Sequence, residues 1–366
     1  MARGHPLRAA VVALLLFVAL AVTSASFTPP VRAQSVVAMV NVGSYPRGIA
    51  YDSSKGEVFV ANTNDNTVSV ISDSTNTVVA TVPVGYSPHG IAYDPSKGEV
   101  FVTISGGNTV SVISDSTNTV VATVPVGSSP EGVAYDSPKG EVFVVNYAGS
   151  TISVISDTTN TVVAMVQVGH NPHGVAYDSS TGEVFVANEG DNTVSVISDA
   201  TNTVVATVSV GSHPEGVAYD SSKGEVFVAN QFDNTVSVIS DSSNAVVAEV
   251  TVGDNPFGTA YDPSKGEVFV ARYDYPGAVS VISDSSNAVV AEVTVGFFSS
   301  AIAYDSSKGE VFVTNLTNGT VSVISESSGG GSGIPEFPFQ LSFTLMATVV
   351  VVASYVLARR VRLPRL

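Results

Sequence analysis

Arg47, His89, Glu131, His173, Glu215, Phe257 and Ser300 hold the same place in seven copies of one repeated segment. Each stands four residues ahead of a tyrosine that recurs at Tyr51, Tyr93, Tyr135, Tyr177, Tyr219, Tyr261 and Tyr304. Tyr45, His170, His213 and Asp254 fall nearby, so every histidine beyond His5 belongs to this one loop class. If the copies surround an axis, imidazole and carboxylate converge on it. His89, His173, Glu131 and Glu215 then offer the donor types that hold a divalent transition metal through neutral ring nitrogens. Arg47 and Phe257 complete the same ring as ligand-binding positions. These groups also suit acid and base work on a bound ligand. No residue is assigned as catalytic, because a Gly-x-Ser-x-Gly elbow, a phosphate-binding glycine loop and a haem attachment pair are all missing.

The repeats must supply the frame for this ring. Successive tyrosines lie 42 residues apart, except for 43 between Tyr261 and Tyr304, where Tyr275-Pro276-Gly277 marks an insertion. A unit of that size cannot bury its own apolar faces and has to stack on its copies. The second copy reads as four strands. Gly90 to Asp94 is the first, Glu99 to Val102 the second, Thr109 to Ile113 the third and Thr119 to Val126 the fourth, with Asp94-Pro95-Ser96-Lys97-Gly98 as a turn. The expected fold is all-β, a seven-bladed β-propeller of four-stranded antiparallel blades. Gly and Ala in each first strand, such as Gly48 and Ala50, suit the crowded axis. The chain opens with a fourth strand, from Val36 to Val42, and closes with a third ending at Glu326. The N-terminal strand is therefore expected to complete the last blade and remove its open edge.

Charge and tails bound the function classes. The chain has no cysteine and a formal charge of −17, and between residues 34 and 328 eight basic residues face thirty-one acidic ones. A surface of that sign repels phosphate backbones, which excludes nucleic acid as a partner. Arg3 and Arg8 precede an apolar run and small residues, the order of a secretory signal over residues 1–33, with cleavage after Ala25 or Ala33. Residues 34–328 form the propeller and 329–338 a Gly/Ser-Pro linker with Pro335-Glu336-Phe337. Residues 339–358 make an uncharged stretch long enough to cross a bilayer as a helix, and 359–366 an arginine-rich cytoplasmic tail. That order places the repeats on the extracellular face of the cell membrane. Asn315-Leu316-Thr317 and Asn318-Gly319-Thr320 match the glycan-acceptor pattern of an exported chain.

Positions alike in every copy are read as structural. The Asp of Ala-Tyr-Asp and the Asp of Ile-Ser-Asp are both expected to cap their own turns. Variation is confined to the loop between the second and third strands and to the Val-Gly-x-x-Pro-x-Gly link between blades. Antiparallel order brings both classes to one side of the disc, so a binding face opposes a structural face.

Val311-Phe312-Val313-Thr314-Asn315 resembles the signature of the YVTN-type β-propeller repeat, with Phe in the place of Tyr. Asn66-Thr67-Val68-Ser69-Val70-Ile71 and Asn76-Thr77-Val78-Val79-Ala80-Thr81-Val82 continue that pattern, and the resemblance covers residues 35 to 326. The family occurs in archaeal surface-layer and secreted bacterial proteins, and the resemblance implies extracellular scaffolding or binding. Pro335-Glu336-Phe337 before an apolar span and an arginine cluster is similar to the PEF type of sorting signal, which implies a processed membrane anchor. The function expected is a membrane-anchored, cell-surface binding, adhesion or surface-layer-like module with a protein or glycan ligand on its loop face. The alternative is a lactonase- or lyase-like propeller enzyme, or a metal-binding protein, working from the channel mouth.

Overall fold

The computed structural model describes residues 34–326, which form twenty-eight β-strands and one short 3₁₀ turn at Tyr147–Gly149. The signal segment, linker, membrane span and basic tail expected at 1–33 and 329–366 lie outside the described residues. Among the described residues no helix is long and apolar enough to cross a membrane. The strands group into seven antiparallel four-stranded sheets. In the second blade they run Pro88–Asp94, Glu99–Ile104, Thr109–Ser114 and Thr119–Pro125, within two residues of the bounds read from sequence.

Burial explains the composition of each strand. Glu99–Ile104 is buried on both faces because its blade is sandwiched between two others, so it reads as a continuous apolar run. Thr119–Pro125 lies on the rim and is mostly exposed, which its threonines tolerate. The core sits between blades rather than within them. Phe143, Val145 and Val154 of the third blade pack on Val184, Val186 and Ile197 of the fourth, and Phe143 is wholly buried. No blade can bury that surface alone.

The ring closes as expected. The N-terminal strand, Gln34–Asn41, pairs antiparallel with Thr320–Glu326 and becomes the outer strand of the last blade. Val40 is buried in the cluster that joins the last blade to the first, and the Val42 N–H donates to the Gly319 carbonyl at 2.9 Å.

The face away from the variable loops is a repeated lattice. Asp52 caps its turn, accepting from the Ser54 N–H at 2.8 Å and the Lys55 N–H at 3.2 Å, while Gly56 adopts the positive φ that ends the turn. The Asp of Ile-Ser-Asp departs from expectation. In five of its six copies it pairs with the turn lysine of the preceding blade, as Lys97 with Asp157 at 2.8 Å, Lys139 with Asp199 at 3.1 Å and Lys308 with Asp73 at 3.2 Å, while before Asp241 the lysine's place is taken by Thr181. The repeated tyrosines add a second tie, for example Tyr93 Oη donating to Ser54 Oγ at 2.9 Å. These are bonds between blades, which a reading of one isolated repeat cannot find.

Six strand-start glutamates carry a pH dependence. Burial, ahead of the charges of nearby aspartates, raises the carboxyls of Glu57, Glu99, Glu141, Glu183, Glu225 and Glu310 above their ordinary 4.5. In the sixth blade Glu267 accepts from Gln34 Nε2 instead. A carboxyl raised by folding binds its proton more tightly in the folded chain, so its contribution favours folding near pH 4.5 and is lost as pH rises through the folded value. The variant with all six changed to Gln should therefore melt above the parent at pH 7 to 8. That margin should narrow as pH falls toward 4.5. A margin independent of pH in calorimetric melts would contradict the assignment.

Candidate functional site

Both variable loop classes emerge on one face. The Gly43 N–H donates to Asn62 Oδ1 at 3.0 Å and the Ser44 N–H to Asp65 Oδ2 at 2.7 Å, tying the link between blades to the loop after the second strand. Asn62 is fully buried and its Nδ2 donates onward to Ser69 Oγ at 2.9 Å. This Asn ends the second strand of its blade, and it ties the variable loops together. Asn315 is fully buried and its Nδ2 donates to Ser322 Oγ at 2.9 Å, so the first of the two glycan sequons is sealed inside the blade, while Asn318 is exposed.

At the axis each innermost strand is bulged. Pro46 faces Asn62 and Ile49 faces Val60, so one strand uses three steps where its partner uses two. The bulge frees the residue after the proline from the ladder and re-aims it. Repeated seven times, it places Arg47, His89, Glu131, His173, Phe257 and Ser300 around an axial cavity of about 160 Å³. Below them Ile49, Ile91, Val133, Val175, Val217, Thr259 and Ile302 form an apolar collar.

The polar members of the ring touch in sequence. Arg47 Nη1 lies 2.8 Å from His89 Nε2, and since arginine only donates, that nitrogen accepts. His89 Nε2 stands 4.0 Å from Glu131 Oε2. His173 lies between two carboxylates, its Nε2 3.1 Å from Glu131 Oε2 and its Nδ1 2.8 Å from Glu215 Oε2. All four side chains behind Arg47 are largely buried, Glu215 at 5% exposure. Phe257 meets the His173 ring edge-on at 5.3 Å between centroids.

Burial and neighbours set the protonation. Burial, aided by the charges of Arg47 and His173 and opposed by Glu131, holds the His89 imidazole down to about 3, so it is neutral. Burial also disfavours a charged His173, but Glu215 and Glu131 outweigh it and push that ring well above its ordinary value. Burial raises Glu131, yet His173 and Arg47 more than offset it and hold the carboxyl down to about 2. The mouth thus alternates cation, neutral imidazole, anion and cation, with Glu215 beside the last of them.

The outer loop histidines are not drawn into this network. His170 Nδ1 lies 2.9 Å from Asp191 Oδ1, and His213 stacks on Phe232 at 4.0 Å with its Nε2 2.7 Å from Glu189 Oε1. Asp254 accepts from Asn234 Nδ2 at 3.2 Å, and Tyr45 lies under the Arg47 guanidinium at 5.4 Å. Sequence reasoning missed Tyr273 and Phe298. Tyr273 is 5.5 Å from Phe257 and Phe298 is 5.2 Å from Tyr273, so a row of rings runs outward from the mouth. Tyr275 and Phe297 add a pair at 4.3 Å. The signal was present in the lengthened loop and in a link, Phe297-Phe298-Ser299-Ser300, that lacks the usual proline and glycine.

Comparison with known proteins agrees with this architecture. Many chains of solved structures, 1741, match this one, so the fold by itself cannot name an activity. One of them, hydrazine synthase of Kuenenia stuttgartiensis, superposes with a TM-score of 0.70 over 78% of this chain and 96% of that chain. The identity is 17%, and the likeness is one of fold alone. No curated protein sequence matches the chain. Residues 44–71 and 170–197 match the model of the NHL repeat. Each match starts in a link between blades and ends in the third strand of the blade that follows. Two of the seven repeats are thus similar to the NHL repeat, a β-propeller repeat type, within a chain wound into a seven-bladed ring.

Proposed function

We propose that this chain is a cell-surface binding module, in which a membrane-anchored propeller presents its loop face to a protein ligand in an adhesion or surface-layer-like role. The observation that carries the reading is the asymmetry of the two faces. One is a lattice of repeated ion pairs and turn caps; the other collects the chemically distinct side chains. Tyr86 and Tyr275 are each 71% exposed and Phe232 61% exposed, all on the loop face. Aromatic side chains are among the residue types that dominate protein–protein hot spots. NHL repeats often mediate protein binding, which adds weight. The signal-like segment, the apolar stretch at 339–358, the arginines after it and the resemblance to YVTN-type repeats with a PEF-type motif support an extracellular, anchored position.

Two measurements test the reading. Protease added to intact cells should remove the repeats while cytosolic markers survive. The purified full chain should bind envelope proteins saturably on a biosensor. The variant with Tyr86, Phe232 and Tyr275 all changed to Ala should keep its Tm and lose about tenfold or more in affinity. Undiminished binding by that variant, or binding only to protein-free glycans, would overturn the proposal.

A further inference from the structure

We propose that the channel mouth is a zinc site, with His89 Nε2, His173 Nε2 and Glu131 Oε2 as protein ligands and Glu215 as the residue that orients His173. Three features support it. First, the donor set is right: two imidazole nitrogens and one carboxylate oxygen are the protein ligands of four-coordinate zinc sites that keep one position for water. Second, the spacing is close. The three donor atoms lie within 4.8 Å of one another, with Glu131 at 3.1 Å from His173 and 4.0 Å from His89. Ligands of a tetrahedral ion at ordinary bond lengths stand about 3.3 Å apart. Side-chain rotation closes that difference without moving a strand, and the axial cavity gives water access to the fourth position.

The third feature is the outer support. Glu215 Oε2 sits 2.8 Å from His173 Nδ1, the nitrogen that would face away from the metal. A carboxylate on the far nitrogen fixes the ring orientation and raises its basicity as a ligand. Glu215 Oε2 is also buried, and among the described residues it has no hydrogen-bond partner other than that ring.

Arg47 sets the opposition. Its Nη1 donates to the very lone pair of His89 that zinc needs. Guanidinium and zinc therefore exclude each other, and metal entry requires Arg47 to swing away and the His173 Nε2 proton to be released. The guanidinium already stands 5.4 Å from the Tyr45 ring centroid, and that cation–π contact can keep it once it leaves His89. Arg47 thus acts as an internal competitor that lowers zinc affinity.

The test is calorimetric titration of zinc into the full chain in detergent, in physiological salt with excess magnesium to mask the acidic surface. Saturable uptake of a single zinc ion per chain is expected, along with a zinc-dependent rise in Tm. Glu215→Gln should weaken binding by about 10- to 100-fold. His89→Ala with His173→Ala should remove it. Arg47→Met should tighten it by about tenfold, the size of one lost competing ionic hydrogen bond. That gain is the sharpest arm, because a merely structural Arg47 would show the opposite sign. No saturable uptake, uptake unchanged in the double histidine variant, or weaker uptake in Arg47→Met would each sink the proposal. Since no protein partner enters the titration, its failure leaves the loop-face reading intact, and the reverse holds too.

Discussion

Deleting residues 34–42 is expected to abolish soluble, cooperatively melting propeller. The lost strand supplies the outer strand of the last blade, paired with Thr320–Glu326 from Gln34 opposite Glu326 to Asn41 opposite Thr320. It also contributes Val40, and beside it Ala38 and Val42, to the cluster shared by the last and first blades. Without it, Thr320–Glu326 presents a raw edge of unpaired N–H and C=O groups, a template for aggregation. The loss combines a row of ladder bonds with a piece of core. It is comparable to the whole net stability of a domain, about 5–15 kcal/mol. Circular dichroism melts and gel filtration decide the matter. An unchanged sharp melt of a monomeric deletion variant would mean that the last blade stands on three strands and that closure is not what holds the ring.

Gly174→Val is expected to cost about 3 kcal/mol and to disorganise the mouth at the same stroke. A Cβ on Gly174 would stand 2.0 Å from the carbonyl oxygen of Glu215, where no atom fits. The same contact recurs around the axis, at 2.3 Å between Gly132 and the His173 carbonyl and at 2.2 Å between Gly90 and the Glu131 carbonyl. The innermost strands pack so closely that backbone of one blade rests on the bare Cα of the blade before it. To relieve the clash the fifth blade must move outward and carry Glu215 away from His173. At the seventh blade the equivalent residue is Ala301, where the interface already holds a Cβ. Ala301→Gly is the matched control and should cost less than about 1 kcal/mol. Should Gly174→Val melt within a degree of the parent, close packing at the axis is not what demands glycine there.

Much of this protein was legible before any coordinates. The 42-residue period, the four apolar runs in each copy and the fourth-strand start with a third-strand end define the blade number and the closure. These follow from local pattern and from counting. The two faces followed from antiparallel order alone. The mouth residues were found by their shared offset from the repeated tyrosine, because seven-fold symmetry carries equivalent positions to equivalent places.

What symmetry could not supply is how unlike residues at those places meet. That His173 bridges Glu131 and Glu215 while Arg47 occupies His89 depends on the bulge after each proline and on the radius of the ring. Both are properties of seven packed blades and not of any single copy. The Lys97–Asp157 pair hid for the same reason, since its partners lie sixty residues apart and on different blades. Tyr273 and Phe298 hid because other residue types hold their places in most other copies, Gln231 and Glu189 matching Tyr273 and His213 and Asn255 matching Phe298, so repetition gave no sign that the two rings meet. Sequence determined the frame, since repetition writes each contact within a blade seven times. Tertiary structure decided the site, since the contacts between dissimilar blades are each written once.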